Sequence, residues 1–306
     1  MDAIHINWTK PFTDKDTERD IEARSVSADL LRKCTHKTGA PYEAEDFELL
    51  TTALSALNWE KHNGKISMIT DSAGYEFYEK NGLLPLWDGG VKKTLDEIPE
   101  FNSDMFWAAG KLWALHNSTA PLAMIDTDFI VWAPIAFENL ADAAVIHEED
   151  LYPDVYPDVS HFKMKDGYKF DTEWDLSLRA CNTAFAVIKN QELLEYYTAE
   201  AIKFMQSAEN VNDPLTYMVF AEQRLLPICA KKLGLEITVL SNLERLFDDG
   251  ERYFTHTWGM KQQMRDMPEL RVDFCLRCAA RIRRDFPDWV DILKKVDCLK
   301  PYFEHN

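Results

Sequence analysis

Two aspartates set one residue apart, Asp126 and Asp128, interrupt the otherwise apolar segment PLAMIDTDFIVWAP between Pro121 and Pro134. In an extended chain, residues two apart project to the same side, so both carboxylates would leave the core together. Burying even one unpaired carboxylate costs several kcal/mol, which protonation, a cationic side chain or a bound divalent metal would relieve. Oxygen ligands suit Mg²⁺ or Mn²⁺, and such an ion could hold the phosphates of a nucleotide. The pair therefore predicts a metal or nucleotide site.

The same spacing also arises by chance in a chain with 52 acidic residues. Asp14 and Asp16 repeat it in a polar stretch to which we assign no role. A turn at a strand end, with a structural aspartate, is therefore an open alternative. The apolar strands predicted on both sides, and the lack of any Lys or Arg within the segment, favour the chemical interpretation.

Composition places the chain among globular proteins with a large core. It has 306 residues, of which 46% are hydrophobic and 12% aromatic, enough for one large domain or two intimate subdomains. The net charge of -18 argues against nucleic acid as a partner, because a polyanion would be repelled. The N-terminus MDAIHINWTK lacks the pattern of a signal peptide, and no apolar run could span a bilayer. We expect a soluble, cytoplasmic protein.

The cysteines do not form a disulfide or zinc pattern. Six of them are scattered along the chain, at positions 34, 181, 229, 275, 278 and 298. Cys275 and Cys278 form a lone C-x-x-C within a helical pattern that places both on one apolar face. Buried thiols are favoured over redox or metal chemistry.

The first part of the chain alternates between strand and helix patterns. Strands are predicted at 3–8, 65–70 and 84–87, and on both sides of Asp126. Helices are predicted at 46–64, with Asp46 as N-cap, at 72–81, and from Asn102 or Ser103 to His116. This alternation favours a largely parallel sheet covered by helices. Ligands bind such sheets at the carboxyl ends of strands, where Asp71 and the Asp126/Asp128 pair fall.

The second part is less regular. Strands are predicted at 141–150, 181–188 and 235–240, and helices at 191–207, capped by Asn190, and from Pro214, capped by Asp213. A loop as long as 152–175 is typical of a lid or binding loop, and a polar turn is predicted at 248–250. The remainder, 261–306, is predicted to be mainly helical. Its arginines at 277, 281 and 284 recur on one face, which favours a solvated or ion-paired surface over membrane contact.

In this order the parts resemble a GT-A glycosyltransferase, a metal-dependent superfamily that uses sugar nucleotides. The resembling segments are HINWTKPF, ITDSAG, AMIDTDFIVW, CNTAFAVI and THTWGMK. They cover most of residues 3–261, and only the D-x-D is a strict motif. The resemblance implies an α/β, GT-A-like fold with a mostly parallel mixed sheet flanked by helices. It also implies a single domain, with a nucleotide-binding half (1–132), an acceptor half (133–262) and a helical tail (263–306).

The resemblance also implies a metal site. In the superfamily the D-x-D coordinates Mn²⁺ or Mg²⁺ on the donor diphosphate, which corresponds here to Asp126 and Asp128. Some retaining members add a late histidine in an H-x-x-G-x-x-K pattern, which His256, Gly259 and Lys261 resemble, although the lysine comes one residue early. Chemically, an imidazole completes the site, the glycine admits a phosphate and the lysine offsets its charge. A hydrogen-bonded strand histidine and a solvated surface lysine are the alternatives.

The nucleoside and the acceptor have further expected contacts. The first strand and its loop normally touch the nucleoside in similar enzymes, which implicates Trp8, Thr9, Lys10 and Asp71. Asn182 lies where similar enzymes place a polar residue near the transferred sugar, and Glu222 with Gln223 resembles an acidic-Gln pair that borders the acceptor. An inverting reaction needs a carboxylate base, whereas a retaining one does not. The candidate bases are Glu148, Glu149, Asp150 and Asp175, each of which could equally be an ordinary surface acid.

The expected function is therefore a divalent-metal-dependent glycosyltransferase. The donor would be a nucleotide-sugar, with a UDP-sugar as the first expectation, and the acceptor a glycan or lipid-linked glycan. Weak membrane contact through the basic C-terminal helices is a further expectation. Two alternatives stay open: a catalytically silent GT-A-like module that binds a glycan or partner, and a sugar nucleotidyltransferase. The lack of a glycine-rich, basic phosphate loop near the N-terminus argues against the nucleotidyltransferase alternative.

Overall fold

One mixed sheet organises the chain. The structure is a computed structural model that describes residues 1–13, 41–247 and 251–304; the spacing at Asp14 and Asp16, Cys34 and the turn predicted at 248–250 lie outside these residues. The strands are β1 (Ala3–Asn7), β2 (Ile66–Thr70), β3 (Val91–Lys92), β4 (Leu122–Ile125), β5 (Phe129–Val131), β6 (Ala143–Glu149), β7 (Ala180–Ile188), β8 (Ile237–Val239) and β9 (Phe254–His256).

Seven of these strands form the main sheet, in the order β3-β2-β1-β4-β7-β6-β8, while β5 and β9 form a small antiparallel sheet of their own. Neighbours from β3 to β4 run parallel, as do β6 and β8. Strand β7 runs antiparallel to both β4 and β6. The predicted α/β fold with a mostly parallel mixed sheet is confirmed. Strands from both 1–132 and 133–262 join this sheet, and the functional division at 132 and 262 stays a prediction.

Helices cover both faces of the sheet. They are α1 (Lys10–Thr13), α2 (Asp46–His62), α3 (Ser72–Lys80), α4 (Ala109–His116), α5 (Gln191–Ser207), α6 (Thr216–Val219), α7 (Leu225–Lys232), α8 (Leu243–Leu246), α9 (Lys261–Asp266), α10 (Pro268–Asp285), α11 (Val290–Leu293) and α12 (Lys300–Glu304). A π-helical turn, Phe220–Arg224, joins α6 to α7. One core lies between the sheet and α2 with α10, and the other between the sheet and α4, α5 and α7. Strand β7 is buried along its whole length because it serves both cores.

Several predicted boundaries are wrong. The segment 84–87 is not a strand, because a 3₁₀ turn at Leu84–Leu86 contains Pro85; the strand follows the glycines, as β3. Helix α4 starts at Ala109, because 102–108 form turns in which the Asn102 side chain accepts backbone hydrogen bonds. The helix after Pro214 starts at Thr216, although the Asp213 carboxylate does accept hydrogen bonds from the backbone N–H groups of Leu215 and Thr216.

The start of α2 differs from the prediction by one residue, with a structural consequence. Glu45 is the N-cap, and its backbone N–H donates to the Glu48 carboxylate at 3.1 Å. Asp46 is instead buried, and it accepts hydrogen bonds from Arg271 Nε at 2.7 Å and the Tyr302 hydroxyl at 2.6 Å. These contacts attach helices α10 and α12 to the first helix of the core.

The C-terminal tail is helical, as predicted. Its arginine face is ion-paired within the tail: Arg277 contacts Asp273 at 3.0 Å, and Arg281 and Arg284 both contact Asp285. No helix in the described part of the chain is long and apolar enough to cross a membrane. Membrane contact through these helices stays a prediction.

The prediction of buried thiols is confirmed for the cysteines that form the C-x-x-C. Cys275 and Cys278 both face the core under α10. Burial raises the pKa of the Cys278 thiol to about 12, which leaves it protonated and unreactive at neutral pH.

Replacing Arg271 with Met is expected to lower the free energy of unfolding by about 3 kcal/mol, because it removes a charged partner from the buried Asp46. Arg277→Met on the same helix is the matched control. Its side chain is 64% exposed, so the loss there should stay below about 1 kcal/mol. Urea unfolding of both variants measures the difference, and equal losses would contradict this account of the tail.

Candidate functional site

The two aspartates lie in a turn between β4 and β5 rather than in a continuous strand. The backbone N–H of Asp126 donates to the Ala184 carbonyl at 2.7 Å, and that of Phe129 donates back to the Asp126 carbonyl at 2.9 Å. The Asp126 side chain is 22% exposed, whereas that of Asp128 is 8% exposed. The pair therefore follows a strand end, as predicted, and also lies in a turn, which was the alternative prediction. Asp128 is buried more deeply than Asp126.

His256 joins the pair through the small sheet. Strands β5 and β9 place Phe129 opposite His256, and Thr257 donates from its backbone N–H to the Asp128 carbonyl at 3.1 Å. His256 Nε2 lies 3.8 Å from a carboxylate oxygen of Asp128. One ligand atom each from Asp126, Asp128 and His256 fall within 4.8 Å of one another, the span of a metal site. The structure therefore brings together the residues that the sequence assigned to a metal.

Two lysines neutralise the carboxylates. Lys261, in the first turn of α9, lies 2.8 Å from Asp128. Lys111, on α4, lies 2.7 Å from Asp126 and 2.8 Å from Glu222. No Lys or Arg lies within the D-x-D segment itself, and both cations come from elsewhere in the chain. Lys111 was not among the predicted site residues, although a single lysine inside the apolar segment FWAAGKLWALH was a visible signal.

Burial and these contacts set the protonation of the cluster. Burial raises the pKa of Asp126 to about 7, against the opposing effect of the Lys111 ammonium. Burial would also raise the pKa of Asp128, but Lys261, His256 and Lys111 together outweigh burial and lower the pKa to about 2. Burial lowers the pKa of His256 to about 4, so its imidazole is neutral at pH 7 and able to bind a metal.

Glu222 lies in the π-helical turn, a rare type of turn that is frequently found at functional sites. Its side chain accepts hydrogen bonds from Lys111 and, at 2.7 Å, from the Thr183 hydroxyl, and its backbone carbonyl accepts one from Tyr197 at 2.6 Å. The next residue, Gln223, accepts a hydrogen bond from the Tyr156 hydroxyl at 2.6 Å. One turn therefore contacts both the charged cluster and the long loop after β6.

Asn182 lies on β7 opposite His147 of β6, and its side-chain oxygen accepts a hydrogen bond from the Ala184 N–H at 3.0 Å. The Ala184 carbonyl in turn receives the Asp126 N–H. Asn182 is therefore attached through the backbone to the turn that carries the aspartates.

The residues predicted to contact the nucleoside differ in their surroundings. Trp8 is buried in the core and packs so closely on Gly110 that a Cβ added to this glycine would lie 2.6 Å from the Trp8 Cβ. Asp71 caps α3 and accepts hydrogen bonds from both the backbone N–H and the hydroxyl of Thr9. Lys10 is exposed at the start of α1. The Asp71 carboxylate thus ties two strand ends together.

Gly259 is exposed, and a Cβ there would meet only the Phe247 ring, at 3.9 Å. The fold itself does not need a glycine at this position. The candidate bases lie in ordinary polar contacts: Glu148 and Asp150 pair with Arg179, Glu149 lies 3.5 Å from His147, and Asp175 accepts a hydrogen bond from the Ser177 hydroxyl.

A pocket of about 390 Å³ opens beside the cluster, with Thr127, Asp128 and Lys261 in its wall. Polar and aromatic side chains at the end of β1 and beyond it also line the pocket, namely Asn7, Phe12, Tyr42 and Tyr78. The Asn7 amide donates to the Tyr78 hydroxyl at 2.8 Å. Five acidic residues and two basic ones line the pocket: Glu43, Glu45, Glu48, Asp104, Asp128, Lys261 and Arg265. Arg265 is bound to Glu45 and Glu48.

A buried hydrogen-bond chain supports the turn from below. The Trp87 indole N–H donates to His5 Nδ1 at 3.1 Å, and His5 Nε2 lies 2.9 Å from the Ser55 hydroxyl, which donates to the Phe129 carbonyl at 2.5 Å. Because an indole N–H can only donate, His5 carries its proton on Nε2. This chain holds the residue that follows Asp128.

The comparisons with known proteins are sparse. A family model described as a family of unknown function (DUF6734) matches residues 30–291. No curated protein was found to match the sequence significantly. Among solved structures, the chain is similar to one named PaToxG Glycosyltransferase, with 12% identity and a TM-score of 0.36 over 76% of this chain and 69% of that one. A likeness of this size supports no inference about activity.

Lys111→Met is expected to lower the free energy of unfolding at pH 8 by about 3 kcal/mol, because it leaves Asp126 and Glu222 without their shared cation. Lys203→Met, which removes an ammonium that is 56% exposed beside Glu200, should cost less than about 1 kcal/mol. Chemical denaturation of both variants provides the comparison. If Lys111→Met is as stable as the control, Lys111 does not balance the cluster.

His5 is expected to stay neutral from pH 8 down to pH 5, because burial lowers its pKa from 6.5 to about 3. The folded-state pKa lies below the unfolded value, so His5 contributes stability above pH 6.5 that is lost as the pH falls toward 3. NMR of ¹³C-labelled histidine, assigned with a His5→Gln variant, follows the ring directly. A His5 signal that titrates near the ordinary histidine pKa of 6.5 would refute the buried chain.

Proposed function

The chain belongs to this family of unknown function (DUF6734), and we propose that it is a divalent-metal-dependent glycosyltransferase. The donor would be a nucleotide-sugar, with a UDP-sugar as the first to test, and the acceptor a glycan or lipid-linked glycan. The observation that carries the proposal is the Asp126, Asp128 and His256 cluster, of which Asp128 lines a pocket of about 390 Å³.

The donor set fits Mn²⁺ or Mg²⁺. It consists of two carboxylates and a neutral imidazole, with ligand atoms within 4.8 Å of one another. Asp126, Asp128 and His256 would hold the ion. When bound, it would supply Lewis-acid stabilisation of the charge that develops on the leaving diphosphate.

The charge of the pocket supports dependence on a metal. Its wall carries five acidic and two basic residues, and Arg265 is already paired with Glu45 and Glu48. A nucleoside diphosphate is a polyanion, so the carboxylates would repel it in the absence of an added cation. Lys261 can contact a diphosphate that approaches Asp128, but a single ammonium does not balance the wall. Nucleotide binding should therefore require a divalent ion.

The rest of the site has a proposed division of labour. Asn7, Phe12 and Tyr42 would surround the base, with Trp8, Thr9, Lys10 and Asp71 acting mainly through the shape of this end of the sheet. Gly259 would let the backbone at α9 approach the diphosphate. Asn182 would border the transferred sugar and Glu222 the acceptor, with Lys111 fixing the direction of the Glu222 carboxylate. Positioning and electrostatics would supply most of the rate enhancement.

A second candidate is a catalytically silent module that binds a glycan or partner. It is favoured by one specific observation: Lys111 and Lys261 already neutralise the two aspartates without any metal. In that case the cluster is a structural ion-pair network, and neither nucleotide nor metal would bind.

Thermal unfolding in the presence of UDP, GDP, CDP or ADP, each with and without Mn²⁺, separates the two candidates. One nucleotide is expected to raise the melting temperature only with Mn²⁺, because a ligand at one hundred times its Kd adds about 2.7 kcal/mol to the stability of the folded state. Asp128→Asn should lose this shift and keep a cooperative unfolding transition. Asp166→Asn, the same change at an exposed loop position, should keep the shift. An unchanged shift in Asp128→Asn would refute the proposed metal role.

A further inference from the structure

Two chain segments run side by side from the rim of the pocket to the charged cluster. The Trp107 indole N–H donates to the Pro214 carbonyl at 3.0 Å, and the Ala108 backbone N–H donates to the Met218 sulfur at 3.3 Å. Further along both segments, Lys111 meets Glu222 at 2.8 Å. Trp107 therefore lies at the outer end of a wall whose inner end is the Lys111 contact with Asp126.

Trp107 presents a fixed aromatic ring to the pocket. Its side chain is 41% exposed although it lines the pocket, and the hydrogen bond to Pro214 limits rotation of the indole. Asp104, three residues earlier, lines the same rim and is exposed. The rim thus combines one flat apolar surface with a carboxylate that can accept hydrogen bonds.

We propose that Trp107 and Asp104 form the binding subsite for a saccharide acceptor. The apolar C–H face of a sugar ring would stack on the indole, and its hydroxyls would donate to the Asp104 carboxylate. The assignment of this sugar as the acceptor rests on the proposed function. Binding of the sugar itself requires neither nucleotide nor metal.

The position of Trp107 and Asp104 favours a sugar over a nucleobase as their ligand. The Asn7 amide and the rings of Phe12, Tyr42 and Tyr78, which also line the pocket, come from other parts of the chain and offer groups that can contact a base. Trp107 instead continues into the wall that ends at Lys111, Asp126 and Glu222. A sugar on this rim would have its hydroxyls directed toward the cluster where transfer is proposed.

The test uses methyl α- and β-glycosides of glucose, galactose, mannose and N-acetylglucosamine, each titrated onto the protein without nucleotide or metal. Saturation-transfer NMR gives the Kd of each. At least one glycoside is expected to bind, and Trp107→Ala should weaken it about tenfold through loss of the stacking surface. Trp107→Phe keeps a ring and should stay within about threefold of the unmodified protein. Tyr152→Ala, which truncates an aromatic side chain 63% exposed outside the pocket wall, should bind as the unmodified protein does.

The proposal is overturned if none of the glycosides binds, or if Trp107→Ala binds as tightly as Tyr152→Ala. Asp104→Ala keeps the test valid should Trp107→Ala fail to fold: its binding should weaken at least about threefold, and unchanged binding would overturn the proposal. If glycoside binding depends on Trp107 but no nucleotide raises the melting temperature, the saccharide subsite is supported and the proposed transferase function is wrong. If a nucleotide raises the melting temperature but no glycoside binds, the transferase proposal is supported and the saccharide subsite is wrong.

Discussion

The structure depends on the burial of two like charges in one short turn. Asp126 and Asp128 repel each other, and their side chains are only 22% and 8% exposed, so the fold must compensate them. It does so with Lys111 from one side and Lys261 from the other. An ion pair of this kind can be exchanged, because a divalent cation can replace an ammonium beside a carboxylate. Exchange of this kind would let the proposed metal bind where the two ammonium groups now lie.

The surrounding elements can be understood as support for this turn. Strand β7 receives the Asp126 N–H, β9 brings His256 opposite Phe129, and the buried Trp87–His5–Ser55 chain holds the Phe129 carbonyl. The π-helical turn aligns Glu222 with Lys111, and α9 delivers Lys261. These supports come from both halves of the chain, through the main sheet and through the small sheet of β5 and β9, so segments that are distant in sequence jointly position a few polar atoms.

Local patterns predicted most of the fold but not the partners of the charges. Alternation identified β1, whose side chains alternate between core and partly exposed positions, and helical periodicity identified α2 and α5, whose apolar faces each pack on one core. The apolar run of β7 was also recognised as a strand, although it is buried on both faces. The D-x-D spacing selected Asp126 and Asp128, and the resemblance to an H-x-x-G-x-x-K pattern added His256; the structure brings the three together. The pattern failed for β3, where two residues pair only because glycines turn the chain back against β2, and for Lys111, whose partner Glu222 is 111 residues away. Contacts between distant residues carry no periodic signal, so Trp107 at the rim was also missed.

Direct titration of Mn²⁺ tests the central claim most simply, with the electron paramagnetic resonance signal of the free ion as readout and UDP, GDP, CDP or ADP present in turn. If the carboxylate cluster is a metal site that can exchange its ammonium partners, one nucleotide will remove one Mn²⁺ per chain from solution, and Asp126→Asn will abolish this uptake. If the free-ion signal follows the protein-free control with every nucleotide, the cluster is an ion-pair network, and the metal-dependent transferase is wrong.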